Sequence, residues 1–392
     1  MSKYDYNTFI LGAGFSAAAD LPLGDSLMKL VINEAKKIPI KEGYNETLYD
    51  TILKPDIEAY LWYKSLCGVN LDNEEQINLE DFISYLDLNN YLILTGESWS
   101  DEGERSQILI RNLIAKVLYN KELTMTDEIR SLYDTFAKQL KPNDLVLTFN
   151  YDTILDNALK RNHIPFRYNG FRYKEINDDG SGILEDENED VIFLKMHGSI
   201  HWFSKDNYDH SLEYHTKNGN PHLAHHTIFK NQYHFNPQTV IKGCAFSDDP
   251  LINVYEVSNL AAYFDLSNLV SECPLIISPS FNKLIHMQKL RDFWRGFNET
   301  GIFSKNFVII GFSLPSHDEY IRLPLFRAIY NFQYSDYYTG RERNKLKVID
   351  FKKTDEEKKV FKKNYSILDE HKTDFYFEGL DENIVGKLLE NL

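Results

Sequence analysis

The chain has 392 residues, 43% of them hydrophobic and 26% charged, a composition that can bury a large core and suits either two or three domains or one large α/β domain with insertions. Its net charge of -16, from 59 acidic and 43 basic residues, disfavours direct nucleic-acid binding, because neutralising phosphates takes clustered Lys and Arg. Cys67, Cys244 and Cys273 are scattered with no C-x-x-C pair, which excludes a disulfide framework and a four-cysteine zinc ribbon and fits a reducing, cytoplasmic setting. The opening MSKYDYN does not read as a signal peptide, and no apolar run approaches the roughly 18 residues that span a bilayer, so no membrane partner is expected.

Residues 6–11 read as a buried strand running into Gly12-Ala13-Gly14. Residues 25–37 read as a helix with Leu27, Leu30, Val31 and Ala35 on one face. From 45 to 140 the pattern is helical: LEDFISYLDLNNYLIL and RSQILIRNLIAKVLYNKEL carry the 3.6-residue period, as expected of a helical subdomain inserted after the first βα unit. DLVLTFN (144–150) and DVIFLKMHGS (190–199) read as strands, with a helix at YDTILDNALKRN between them. Residues 205–270, rich in Tyr, His and Asn, read as an irregular insertion. CPLIISPS reads as a strand, 306–332 as strand, turn and helix, and KLKVIDFKK as a further strand. Short apolar strands alternating with helices predict an α/β, Rossmann-like parallel sheet with helices on both faces. The main domain would comprise 1–44 and 141–392.

Ligands of open α/β sheets bind at the carboxyl ends of the strands. There stand Gly12-Ala13-Gly14-Phe15-Ser16-Ala17, then Asn150-Tyr151-Asp152, then His197-Gly198-Ser199, then Gly311-Phe312-Ser313. The first is G-x-G-x-x-A, a variant of the dinucleotide fingerprint, in which glycines allow a pyrophosphate close to a helix N-terminus. The acidic residue expected on a second strand about 20 residues later is missing, which disfavours a plain Rossmann dehydrogenase. Each end also has a plain structural reading. The first is a tight βα turn, Asn150 and Asp152 are helix caps, and His197 is a satisfied core histidine. Four polar ends on one sheet favour a shared pocket, in which His197 can accept a proton. In the stretch from His210 through His215, His222, His225 and His226 to His234, His222-x-x-His225 lacks a completing ligand, so no metal is expected.

GAGFS, TFNYD, KMHGS and IIGFSLP, in this order, resemble the sirtuin-like NAD-consuming family, and with INLEDFISYLD (77–87) its bacterial antiphage-defence branch. The resemblance implies an NAD pocket. Gly12, Ala13, Gly14 and Ser16 would cradle the pyrophosphate, with Phe15 and Pro22 beside them. Asn150 and Asp152 would stand near the nicotinamide and its ribose, and His197 would act on ribose hydroxyls. Gly311, Phe312 and Ser313 would hold the adenosine side, and Asp350 would read the adenine ribose. Two departures stand against deacylation: the zinc ribbon is absent, and Pro22 is followed by Leu23-Gly24-Asp25 where deacylating sirtuins carry Pro-Asp-Phe-Arg. The resemblance therefore implies an NAD+ hydrolase releasing nicotinamide and ADP-ribose, with NAD as substrate and Asn150, His197 and Asp152 as the catalytic group. It also implies a homo-oligomer working with a HerA-type ATPase, or alternatively an Argonaute-type partner. The other functional readings are a non-cleaving NAD or ADP-ribose sensor, an ADP-ribosyltransferase and a deacylase.

Overall fold

The structure, a computed structural model, describes all residues except 1–5, 23, 42, 72, 95–102, 169–172, 177–181, 185–189, 242–250, 267, 286–288, 295–296, 316–317, 335–342 and 390–392. In chain order the strands are β1 (Tyr6–Leu11), β2 (Leu145–Thr148), β3 (Phe166–Arg167), β4 (Tyr173–Ile176), β5 (Gly182–Leu184) and β6 (Val191–Lys195). They continue as β7 (Trp202–Ser204), β8 (Gln238–Thr239), β9 (Val254–Glu256), β10 (Ser304–Ile310), β11 (Leu346–Ile349) and β12 (Thr373–Tyr376). A seven-stranded sheet runs in the order β12-β11-β10-β1-β2-β6-β3, with every neighbouring pair parallel. Strands β1, β2, β6 and β11 are buried along their length and β10 at all but Lys305, which is why they read as apolar runs and not as alternating ones. From β1 the chain passes to β2, then to the edge strand β3, then back to β6 between them, and later crosses to the other side of β1 with β10, so the strand order reverses between β1 and β10. That reversal is the place where doubly wound sheets open a crevice.

The helices packed around the sheet are, in order, α1 (Ala13–Ser16), α2 (Gly24–Ala35), α3 (Lys54–Leu66), α4 (Leu79–Tyr91), α5 (Arg105–Leu123), α6 (Asp127–Ala137) and α7 (Ile154–Arg161). Helices α3 to α6 follow one another between β1 and β2, and the buried side chains of this helical segment join the core of the sheet. Two of its contacts position the strand ends. Tyr133 on α6 donates to the Phe15 carbonyl at 2.9 Å, and Phe15 packs edge-on against Tyr133 and Phe136, each at 5.2 Å. Asn78 caps α4 by accepting from the Asp81 amide at 3.0 Å, and Ser84 on that helix accepts from the Phe281 amide at 2.8 Å. The INLEDF stretch is thus a capped helix start docked on the 281–283 loop.

Residues 205–270 are more regular than their composition suggests. They hold α8 (Asp206–Lys217), α9 (Thr227–Lys230), α10 (Gln232–Phe235) and α11 (Leu260–Leu266), and β7, β9 and β8 form a small antiparallel sheet. Most of these elements are too short to show a period, and the 12-residue α8 has no buried residue, so tertiary contacts decide them. CPLIISPS is not a strand of the sheet. Only Ile276 pairs, in an isolated bridge with Gly198. Pro274 has no amide to donate, and the amides of Leu275 and Ile277 go to the carbonyls of Trp202 and His197 at 2.7 and 2.8 Å. After α12 (Phe297–Phe303) and β10, α13 (Glu319–Tyr334) leads to β11, and α14 (Asp355–Asn364) leads to β12.

Candidate functional site

The glycines of the first turn meet another turn of the same chain. The Gly12 amide donates to Ile310 at 3.0 Å and the Gly14 amide to the Gly311 carbonyl at 2.7 Å. A Cβ on Gly12 would stand 2.6 Å from the Gly311 oxygen, and one on Gly14 would stand 2.6 Å from the Gly311 Cα. Gly311 itself lies in the left-handed region, φ +63°. The turns after β1 and β10 therefore interlock across the reversal point. The amides of Gly12, Gly14 and Phe15 are used within the chain, so a cradle built on this turn would draw on its remaining groups.

The turn after β2 bonds directly to this one. Asn150 Nδ2 donates to the Gly12 carbonyl and to Ser16 Oγ, both at 2.9 Å. Ser16 Oγ in turn donates to Asp152 Oδ2 at 2.7 Å. Asp152, one position ahead of the N-cap Thr153, accepts at Oδ1 from the amide of Ile154, the first residue of α7, at 3.2 Å. Beneath it lies a buried ion cluster. Lys195 Nζ donates to the Asp152 carbonyl at 2.5 Å and to Asp156 Oδ2 at 2.9 Å, with both ionic side chains 1% exposed. Burial holds the Asp152 carboxyl above its usual range despite Lys195 and Ser16. Glu122, which accepts from the Thr153 amide at 2.8 Å, is pushed up to about 8 by burial and by the nearby Asp152 charge. Asp156 stays below its ordinary value: burial opposes its charge, but Lys195 and His201 outweigh that.

His197 occupies the other, aromatic side. Its Nδ1 lies 3.1 Å from the Phe149 carbonyl, which can only accept, so Nδ1 carries the proton and Nε2 the lone pair. Nε2 accepts from the Tyr320 hydroxyl at 2.6 Å. Burial, with the charge of Lys283 second, pushes the His197 imidazolium down to about 3, so the ring is neutral at physiological pH. Phe149 stacks on Phe312 at 4.8 Å, and Trp294 stands 6.2 Å from Phe149 and 6.1 Å from Tyr320. Among the described residues the buried Trp294 Nε1 has no hydrogen-bond partner. Gly198 follows His197 at φ +79°, where a Cβ would fall 2.0 Å from the Leu275 carbonyl oxygen. Only glycine makes this turn without displacing the 275–277 segment.

The structure thus brings Gly12, Gly14, Ser16, Asn150, Asp152, Gly311 and Phe312 into one contiguous cluster, with His197 joined to it through Phe149. Phe15 is buried beneath the turn, Ala13 and Ser313 are exposed at its rim, and Pro22 is half-buried ahead of α2. Asp350 stands past β11, where its Oδ1 accepts from the Phe351 amide at 2.7 Å and from Lys352 at 3.1 Å. Sequence reasoning missed Trp294, Tyr320 and Lys283. None sits at a strand end of the sheet, and only tertiary packing brings them to His197. Behind Asp152, on the far side of the 149–153 turn, lies a cleft of about 370 Å³ lined by Glu122, Thr153, Asp156, Lys160, His201 and Glu256. Among the described residues no group of three or more His, Cys, Asp or Glu is arranged to hold a metal. His210, His222, His225 and His234 are exposed, while His226 is buried beside Glu272 at 3.2 Å. Cys67 is exposed, Cys273 is buried, and Cys244 lies outside the described residues. Among the described residues no helix is long and apolar enough to cross a membrane.

Comparison with known proteins bears on the same segment. Curated protein sequences gave no match. A solved structure described as "Sir2-p53 peptide-NAD+" aligns at 11% identity and a TM-score of 0.32, covering 98% of this chain and 92% of that one. Another, "The Structural basis of Sirtuin Substrate Affinity", aligns at 9% identity and a TM-score of 0.30, covering 98% and 93%. Values this low carry no argument, and the Rossmann-like fold stands on the strand order alone. The family model described as a SIR2-like domain matches residues 144–261. The stretch similar to a SIR2-like domain is therefore the one that contains β2, Asn150, Asp152, β6 and His197.

Proposed function

We propose that this chain is an NAD+ hydrolase that cleaves the nicotinamide–ribose bond at the carboxyl ends of β1, β2, β6 and β10. The observation that carries the reading is His197: a buried, neutral imidazole in a fixed tautomer, joined by Phe149 to the interlocked turns where the strand order reverses. Neutral aromatic walls, and an indole N–H with no partner among the described residues, suit a flat ring that leaves as a neutral amide. The SIR2-like match over 144–261 supports the same reading.

NAD+ enters this chemistry as substrate. Asn150, held by Gly12 and Ser16, orients the reacting end of the ligand. Asp152 holds Ser16 and the first amide of α7. His197 takes a proton as water attacks C1′ of the ribose, and the electron pair of the breaking bond goes to the nicotinamide nitrogen. The aromatic enclosure keeps other water out. The motif resemblance extends the reading to an NAD-depleting effector of antiphage defence, acting as a homo-oligomer with a HerA-type ATPase. Exposed Trp62 and Leu66 on α3 and Tyr91 at the end of α4 offer apolar surface for such assembly. The test is nicotinamide release from NAD+ by the purified chain, alone and with its genomic neighbour. Release that disappears in Asn150→Ala and His197→Ala supports the hydrolase. Binding without release under every condition makes the chain a reader of the nucleotide.

A further inference from the structure

His197 has one basic atom, and a protein group already covers it. The Phe149 carbonyl takes the Nδ1 proton, and the Tyr320 hydroxyl points its own proton at Nε2 from 2.6 Å. A proton reaching Nε2 from a ligand must pass through Tyr320 Oη or wait until Tyr320 has left. The ring is held from several sides. Trp294 meets it edge-on at 6.1 Å, and Lys283 Nζ lies over it, 5.8 Å from the ring centre. Lys283 is itself buried, 3.0 Å from Asp318 in the turn before α13 and 3.5 Å from Glu80 in the first turn of α4. Swinging Tyr320 away would disturb a buried ion cluster that ties α4 to the start of α13. The structure therefore favours passage over departure.

We propose that Tyr320 is a catalytic residue that touches the ligand and relays a proton from the attacking water to His197 Nε2. The proposal rests on the NAD+ cleavage reading. As the water oxygen bonds to C1′, one of its protons moves to Tyr320 Oη while the Tyr320 proton moves to Nε2. The bond from C1′ to nitrogen breaks, and its electron pair neutralises the pyridinium. The phenol is neutral before and after, the imidazolium returns its proton to solvent, and the products are nicotinamide and ADP-ribose. Burial and the neighbouring Asp318 hold the phenol well above its ordinary value, so a phenolate is not needed at any point.

The test compares wild type, Tyr320→Phe and His197→Ala in the full chain, measuring NAD+ binding and nicotinamide release. Tyr320→Phe is expected to unfold with wild type and to keep NAD+ affinity within about threefold, yet to lose about 100-fold or more in kcat. Wild-type or faster turnover in Tyr320→Phe overturns the relay and identifies the phenol as a plug. If wild type binds NAD+ without cleaving it, the hydrolase reading fails, and the nitrogen resonance of His197 Nε2 in the complex still reads the contact. A resonance that keeps the phenol's hydrogen bond and moves on Tyr320→Phe supports the placement of Tyr320 between ring and ligand. One that does not move overturns it. Absence of NAD+ binding overturns both readings.

Discussion

The turn at 149–153 has two faces built from opposite materials. One face is ionic: Asp152, Asp156, Lys195 and His201 are buried together with a half-buried Glu122 beside them, and their charges and hydrogen bonds close on one another. The other is aromatic: Phe149, Phe312, Trp294 and Tyr320 surround a neutral His197, and the indole N–H has no partner among the described residues. A cluster that satisfies itself holds a shape, whereas a dry surface with an open donor and a free-energy cost to charging is prepared for a visitor. On the proposed reading the ionic side is the scaffold of the turn and the aromatic side its reactive face, although the cleft of about 370 Å³ opens on the ionic side.

This division separates the effects of substitutions. The largest expected effect is on activity: His197→Ala should lower NAD+ cleavage by about 100- to 10,000-fold, the usual range for a lost acid–base group, with little change in thermal unfolding. Equal activity in the variant would put the chemistry elsewhere. On the ionic face the effect moves to stability. Lys195→Ala strands the Asp156 carboxylate in the core and should cost about 3–5 kcal/mol in denaturant unfolding. Gly198→Ala should cost about 1–3 kcal/mol from backbone strain alone, with a further cost from its contact with Leu275.

The smallest effect is a pH slope. Glu122 is raised in the folded state to about 8 from 4.5, so its contribution to stability is complete below pH 4.5 and is lost as pH rises through about 8. Glu122→Gln should flatten the fall in unfolding free energy between about pH 4.5 and 8, by at most about 1.4 kcal/mol per unit. His197 works with the opposite sign. Its folded value is depressed to about 3 from 6.5, so stability is full above pH 6.5 and falls as pH drops toward 3. His197→Ala should soften that acid limb, and a variant with the wild-type profile would show that the ring is charged in the folded chain.

Much of this was legible in the sequence because the sheet is parallel and buried. Continuous apolar runs mark β1, β2, β6, β10 and β11, and their ends name Gly12, Asn150, Asp152, His197 and Gly311 before any coordinates. What the sequence hides is distance. Tyr320 lies 123 residues from His197, and Lys283 and Trp294 sit in short turns with no periodic pattern. The sequence also does not say what the glycines approach. Gly14 faces Gly311, and that partnership between two strand ends explains a motif that otherwise suggests a phosphate alone. β3 and β8, at two residues each, fall below any pattern.

The most direct test of the account is a crystal structure of the chain with ADP-ribose bound. The account predicts the ribose against His197, Asn150 and Tyr320, with the Glu122 cleft empty and the ionic cluster unmoved. ADP-ribose seated in the cleft beside Glu122 and Glu256, with the aromatic face undisturbed, would contradict it.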